Sequence, residues 1–247
     1  MKKIGIIRPC KIGDLIISLP IGKYYHDKGY EVLWPIMKNY YEMFNEAAGH
    51  YIKFIPILDS FGFAINLSRG VLIENNPNEI INLSFNVGTF NDENSINFKK
   101  SKLRFDEFIY YLAEVPFEHK WNLEIRRNIE AENRLFEKKI KTPKYSVGHF
   151  DVEYNKYGWQ KGISTRQGYY NLCKKYISNN LIELLPDKEF PSLFYWIKIL
   201  QNSEELFLAD SSPLNLVEGL NLTNKKNLLL RSSAKETPIL KNRYNII

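Results

Sequence analysis

The chain has 247 residues, 44% of them hydrophobic, with 34 Lys and Arg against 28 Asp and Glu and a net charge of +6. That length suits one large domain or two small ones, and no apolar run is long enough to span a membrane. Two distant cysteines, Cys10 and Cys173, form neither a disulfide framework nor a metal cluster, so each is expected to be a buried or incidental thiol. The positive excess is spread out, 20 basic against 18 acidic residues up to Thr142 and 14 against 10 beyond it. There is no dense basic run or arginine-rich arm of the kind that marks a nucleic-acid-binding tail. A mild positive balance suits an anionic ligand or acceptor and plain solubility equally.

The first half alternates strand-like and helix-like segments. Residues 3–7, Lys-Ile-Gly-Ile-Ile, read as a parallel strand covered on both faces. The chain starts basic and then apolar, but Arg8, Lys11 and Asp14 interrupt the apolar stretch and no small-residue cleavage site follows. A cytosolic protein is therefore expected rather than a secreted one, with peripheral attachment to the inner face of a membrane left open. Residues 15–25 read as a core-packed helix. The turn before it holds Gly13, expected to take backbone angles closed to other residues, and then Asp14. Ligands of open α/β sheets bind beyond the carboxyl ends of strands, so this turn is the first place to look for chemistry.

Strands are expected at 31–36, 51–57 and 79–85, with a helix at 40–48, a polar loop over 86–97 and helices at 102–113 and 126–141. Thr142-Pro143 breaks the pattern and sets the expected boundary. Beyond it, strands at 145–150, 181–185, 205–209 and 227–231 alternate with helices at 165–177, 192–200 and 213–220. Pro213 suits a first helical position, where its missing N–H is not needed. Such alternation argues for parallel sheets built from crossover units. The expected fold class is α/β, with two Rossmann-like domains, 1–142 and a reduced 143–247, facing each other across a cleft.

Two segments carry a resemblance. Arg8, Gly13, Asp14 and Pro20 occur in the order found at the opening of the family 9 glycosyltransferases, the heptosyltransferase-like enzymes with the two-lobed GT-B fold. Residues 210–220, Asp-Ser-Ser-Pro-Leu-Asn-Leu-Val-Glu-Gly-Leu, resemble the same family's second signature, which follows a strand and opens a helix. Here Ser212 stands for the family's glycine, Asn215 for its histidine and Glu218 for a small residue. Glu218 resembles instead a glutamate that holds the nucleotide ribose in the wider class of two-domain nucleotide-sugar transferases. Gly148 to Gln160, with Lys156 and Trp159, is similar to the family's Lys-Arg-Trp segment.

The resemblance implies a glycosyltransferase (hexosyl-, pentosyl- or heptosyl-transferring) that uses a nucleotide-diphosphate sugar and needs no other cofactor. Asp14 would be the general base for the acceptor hydroxyl; read from the residues alone, it is a helix N-cap. Asp210, Ser211 and Ser212 would hold the donor diphosphate at a helix start, or merely cap that helix. Asn215 lies one turn further in, within reach of a phosphate or sugar hydroxyl. Glu218 sits in an otherwise apolar helix, where ribose hydroxyls or an exposed face would satisfy it. Lys156 would neutralise the leaving diphosphate, with Lys161 and Arg166 as alternatives. Arg8 would pair with Asp14 or with phosphate, and His149 is the one histidine near a strand end of interest. No Asp-x-Asp occurs, so metal-independent transfer is expected. The acceptor implied is an anionic surface glycan or lipopolysaccharide. Alternatives are a hydroxylated base in DNA, gripped between loops 86–102 and 154–166, and a non-catalytic subunit that binds a nucleotide or glycan.

Overall fold

Period-two alternation along the first strand decides how its sheet is covered. In the computed structural model, which describes residues 1–9, 11–85, 92–150, 166–177, 179–229, 237–241 and 243–246, β1 is Lys2–Ile7 and α1 is Ile12–Asp27. They are followed by β2 (Tyr30–Met37), α2 (Lys38–Ala48), β3 (Lys53–Ile57), α3 (Ala64–Asn75) and β4 (Glu79–Asn82). The four strands are parallel, in the order β3-β2-β1-β4. Gly5 and Ile7 face α3, where Ile7, Leu33 and Leu72 form one buried cluster. The approach is close enough that a Cβ on Gly5 would meet both Leu72 methyls at 2.9 Å. On the opposite face Gly22 of α1 lies over Trp34 and Ile52, so both faces are covered, as the run of apolar residues predicts.

Helix α3 is absent from the sequence reading, as is α4 (Glu93–Lys100), which occupies much of the expected polar loop 86–97. Asp92 caps α4 by accepting from Ser95 N at 2.8 Å, the usual first-turn arrangement. Next comes α5 (Phe105–Leu112), then a 3₁₀ turn at Phe117–Trp121. Tyr110 of α5 donates to Ile17 O of α1 at 2.9 Å, and burial drives its phenol pKa upward.

The chain divides into two units, Met1–Arg126 and Arg127–Ile247. This differs from the expected break at Thr142-Pro143 by one helix, α6 (Ile129–Lys139). The reason lies in what α6 buries. Its Glu132 is 1% exposed, pairs with Arg127 and accepts from Lys198 N at 3.0 Å. Lys198 Nζ also donates to Asn133 Oδ1 at 2.7 Å. A break in sequence propensity marks the end of a helix, and packing decides the unit to which that helix belongs.

The second unit continues with β5 (Tyr145–His149), α7 (Arg166–Cys173), β6 (Asn180–Glu183), a 3₁₀ turn at Leu193–Trp196 running into α8 (Ile197–Asn202), β7 (Glu205–Ala209), α9 (Ser212–Gly219), β8 (Lys225–Leu229) and a short β9 (Asn245–Ile246). All five strands pair in parallel, in the order β6-β5-β7-β8-β9. Phe150, Cys173, Phe207, Ala209 and Leu229 make one buried cluster. Burial pushes the Cys173 thiol up to about 12, the inert thiol expected; Cys10 lies outside the described residues. Among the described residues, no helix is long and apolar enough to cross a membrane.

Candidate active site

Strand order reverses between β1 and β4 in the first sheet and between β5 and β7 in the second. Such reversals open a crevice at the strands' carboxyl ends, where ligands of open α/β sheets bind. Of the described residues singled out by sequence, Arg8, Gly13 and Asp14 fall at the first place and His149, Asp210 and Ser211 at the second.

At the first, the backbone leaving β1 is held at each step. Ile7 O accepts from Leu83 N at 3.0 Å and from Ser84 Oγ at 3.1 Å. Arg8 O accepts from Trp34 Nε1 at 3.0 Å, and Pro9 O accepts from Met37 N at 3.0 Å. The left-handed residue in the turn is Lys11, at φ 69°; Gly13 has no positive φ and lies within α1. The backbone freedom expected of Gly13 is thus needed two residues earlier. Lys11 also holds the N-cap position, and its side chain makes no cap bond. Asp14 is therefore not a cap. It is the third residue of α1, where its charge favours the positive end of the helix dipole.

Asp14 has a specific partner in Arg8. Arg8 Nη2 stands 2.8 Å from Asp14 Oδ2, with the arginine side chain 4% and the aspartate 21% exposed. The approach lacks the alignment of a hydrogen bond: Nη2 and Nε of Arg8 are buried and donate to no described group. Nη1 does donate, to Leu83 O at 2.5 Å. The guanidinium also lies over the rings of Phe85 and Phe105, at 5.4 and 5.3 Å, within cation–π range. Leu83, Ser84, Phe85 and Phe105 were not singled out by sequence. The parallel pairing of β4 with β1 brings Leu83, Ser84 and Phe85 to Arg8, and Phe105 reaches it from the start of α5.

At the second place, His149 ends β5 and Ser211 follows β7. Ser211 Oγ lies 3.0 Å from His149 Nδ1 and 3.2 Å from Ala209 O. When the hydroxyl gives its one proton to Ala209 O, it accepts from Nδ1–H, and the imidazole lone pair is then on Nε2. Ser211 is the N-cap of α9, yet its hydroxyl makes no cap bond. Pro213 sits at the second helical position, one later than expected. Asp210 is 5% exposed, with its N–H 3.4 Å from Leu229 O. Ser212 opens α9, and Asn215 is half-buried one turn in.

Glu218 departs from its expected setting. It is 1% exposed, and both carboxylate oxygens meet the chain's own C-terminal segment, Oε1 accepting from Tyr244 OH and Oε2 from Lys241 N, each at 2.7 Å. Burial, reinforced by this carboxylate, raises the Tyr244 phenol pKa, and burial lowers that of the neighbouring Lys226. The chain itself thus supplies donors to both oxygens of Glu218, which ties the segment entering β9 to α9. Tyr244→Phe is expected to cost about 1–3 kcal/mol in unfolding free energy by removing a donor from a buried carboxylate. Denaturant titration measures it; a variant as stable as the parent would show that the contact does not hold the segment.

Lys156, Trp159 and Lys161 lie outside the described residues, and Arg166 opens α7. Residues 86–91 and 154–165 of the two loops proposed to flank DNA are likewise outside them. No group of three or more His, Cys, Asp or Glu side chains able to hold a metal ion occurs among the described residues.

No protein-family model matches the sequence, and no curated protein does either. Solved structures do match. A family 9 glycosyl transferase from Veillonella parvula aligns with 100% of this chain and 86% of its own, at TM-score 0.61 and 11% identity. The E. coli ADP-heptose lps heptosyltransferase II aligns over 100% and 90%, at TM-score 0.57 and 12% identity. The E. coli heptosyltransferase WaaC, solved with ADP-2-deoxy-2-fluoro heptose, aligns over 99% and 92%, at TM-score 0.52 and 14% identity. The fold is that of the family 9, heptosyltransferase-like glycosyltransferases.

Proposed function

We propose that this chain is a glycosyltransferase that moves a sugar from a nucleotide-diphosphate sugar to an acceptor hydroxyl, with Asp14 as general base. One observation carries the proposal: in a heptosyltransferase-like fold, a carboxylate sits on the first helical turn beyond the β1–β4 crevice, held 2.8 Å from a buried arginine. In the reaction assigned to it, Asp14 takes the acceptor proton as the hydroxyl oxygen bonds to the anomeric carbon. The bond from that carbon to the diphosphate oxygen breaks, and the diphosphate leaves with the electron pair. The first unit takes the acceptor and the second the donor. Ser211, Ser212 and the backbone N–H groups opening α9, helped by Lys156, meet the diphosphate charge, so the reaction runs without a metal. Since neighbours of this fold were solved with ADP and an ADP sugar, we assign an ADP sugar as donor and, after the lps named for heptosyltransferase II, a lipopolysaccharide-type glycan as acceptor.

A thermal-shift panel of UDP, ADP, GDP, TDP and CMP sugars tests the donor. A ligand that binds only the folded form raises the melting temperature by mass action, about 2.7 kcal/mol of stabilisation at 100 times its Kd. ADP sugars are expected to raise it and the others not. A panel with no response from any nucleotide sugar would remove the proposal.

A further inference from the structure

We infer that Arg8 is the positioning residue for Asp14, holding its carboxylate in place by charge and linking it to the segment that leaves β4. The inference rests on the transferase reading and adds a residue to it. The clamp has three anchors. Nη1 donates to Leu83 O at 2.5 Å, Nη2 faces Asp14 Oδ2 at 2.8 Å, and the guanidinium carbon stands 5.4 and 5.3 Å from the ring centres of the adjoining Phe85 and Phe105. Each comes from a different element: the chain after β4, the first turn of α1 and the start of α5. With the arginine 3% exposed, it cannot swing into solvent, so Asp14 cannot leave it without stranding a buried charge. The two ends of the ion pair therefore differ in task. Asp14 keeps a fifth of its side-chain surface open to an acceptor, while Arg8 is closed off and acts only through Asp14.

Arg8 also retains Nε–H and Nη2–H groups that donate to no described residue. A purely structural arginine would be expected to spend such buried donors. A lysine cannot replace it, because an ammonium is a compact point charge without the planar fork that meets Leu83 O and Asp14 from two separate nitrogens.

The test compares the full chain with Arg8→Met, Arg8→Lys, Asp14→Asn and the Arg8→Met/Asp14→Asn double variant, by kinetics and by thermal unfolding. Misplacing a reacting group by about 1 Å costs on the order of 100-fold in rate, so Arg8→Met is expected to lose about that in kcat. The donor KM should stay within about twofold, because the donor is assigned to the second unit. Arg8→Lys should recover only part of the loss. The double variant should be no slower than Asp14→Asn alone, since residues acting as one unit are non-additive. Melting-temperature losses of the two single variants should likewise exceed, when summed, the loss in the double. A kcat near the parent's in Arg8→Met, or losses that multiply in the double variant, would overturn the inference while leaving Asp14 in place. Should Arg8→Met not fold, parent-like kcat in Arg8→Lys would overturn it. If the parent transfers sugar from no donor, the transferase reading fails by itself, and the unfolding cycle decides on the clamp: additive melting losses discard it.

Discussion

Asp14→Asn should lower kcat by about 100- to 10,000-fold, the range contributed by a well-placed general base, while the melting-temperature rise on donor binding persists. The amide preserves shape and removes the proton acceptor, so the two readouts separate chemistry from binding. Asparagine also withdraws the negative charge facing Arg8, an arginine almost wholly enclosed. Some loss of stability must follow. It should stay below the roughly 3–5 kcal/mol lost when one member of a fully buried pair is removed, because Asp14 is 21% exposed and Arg8 keeps Leu83 O and two aromatic faces. A variant that melts a few degrees lower but transfers sugar at the parental rate would strip Asp14 of its role. One that loses both turnover and the donor-induced shift would place the aspartate in donor binding instead.

The alternating pattern made the layers legible because parallel strands covered on both faces demand near-continuous apolar runs, and β1, β2 and β7 supply them. Helix α3 escaped because its sequence, Ala-Ile-Asn-Leu-Ser-Arg-Gly-Val-Leu-Ile-Glu-Asn, mixes Gly and polar residues and exposes Ile65 and Ile73; it is held by Leu72 seated against Gly5 and Ile7 and by Ala64, Leu67 and Val71 packed with Met37 and Ile57. β9 escaped because two residues carry no period at all, and the segment entering it is tied down by Glu218 from another element. The order of strands was not legible, since periodicity says which face is buried and nothing about which neighbour is paired.

The candidate site was half legible for the same reason. Arg8 and Asp14 are close in sequence, so a local reading could pair them. His149 and Ser211 are 62 positions apart and meet only because β5 lies beside β7. The local rule that a carboxylate near a helix start is its cap failed at Asp14, where Lys11 takes the cap position with a left-handed backbone. It held at Asp92, whose oxygens reach Ser95. What separates the two is where the helix begins. Asp92 precedes the first turn of its helix, and Asp14 lies inside it, so its oxygens are not committed to the backbone.

Lys120→Met should strongly destabilise the first unit. Lys120 is 4% exposed and donates to Asp106, which is fully buried. Their bond joins the 3₁₀ turn at Phe117–Trp121 to the first turn of α5, and the ammonium also lies 4.5 Å from the centre of the Trp121 ring. Methionine fills the volume of the aliphatic stem but removes the cation facing a carboxylate cut off from water. Removing one partner of a buried pair costs about 3–5 kcal/mol, whereas replacing both with apolar residues is often neutral or stabilising. The Lys120→Met/Asp106→Leu double variant should therefore recover most of the loss, and this sign reversal is the informative result. At roughly 2–4 °C per kcal/mol for a chain of this size, the single variant should melt on the order of 10 °C lower. Because α5 also supplies Phe105 to Arg8 and Tyr110 to the Ile17 carbonyl, the loosened helix should slow transfer even at temperatures where the variant is folded. A Lys120→Met protein that melts with the parent would mean that Asp106 is compensated elsewhere, and the link from this buried pair through α5 to Arg8 would have to be given up.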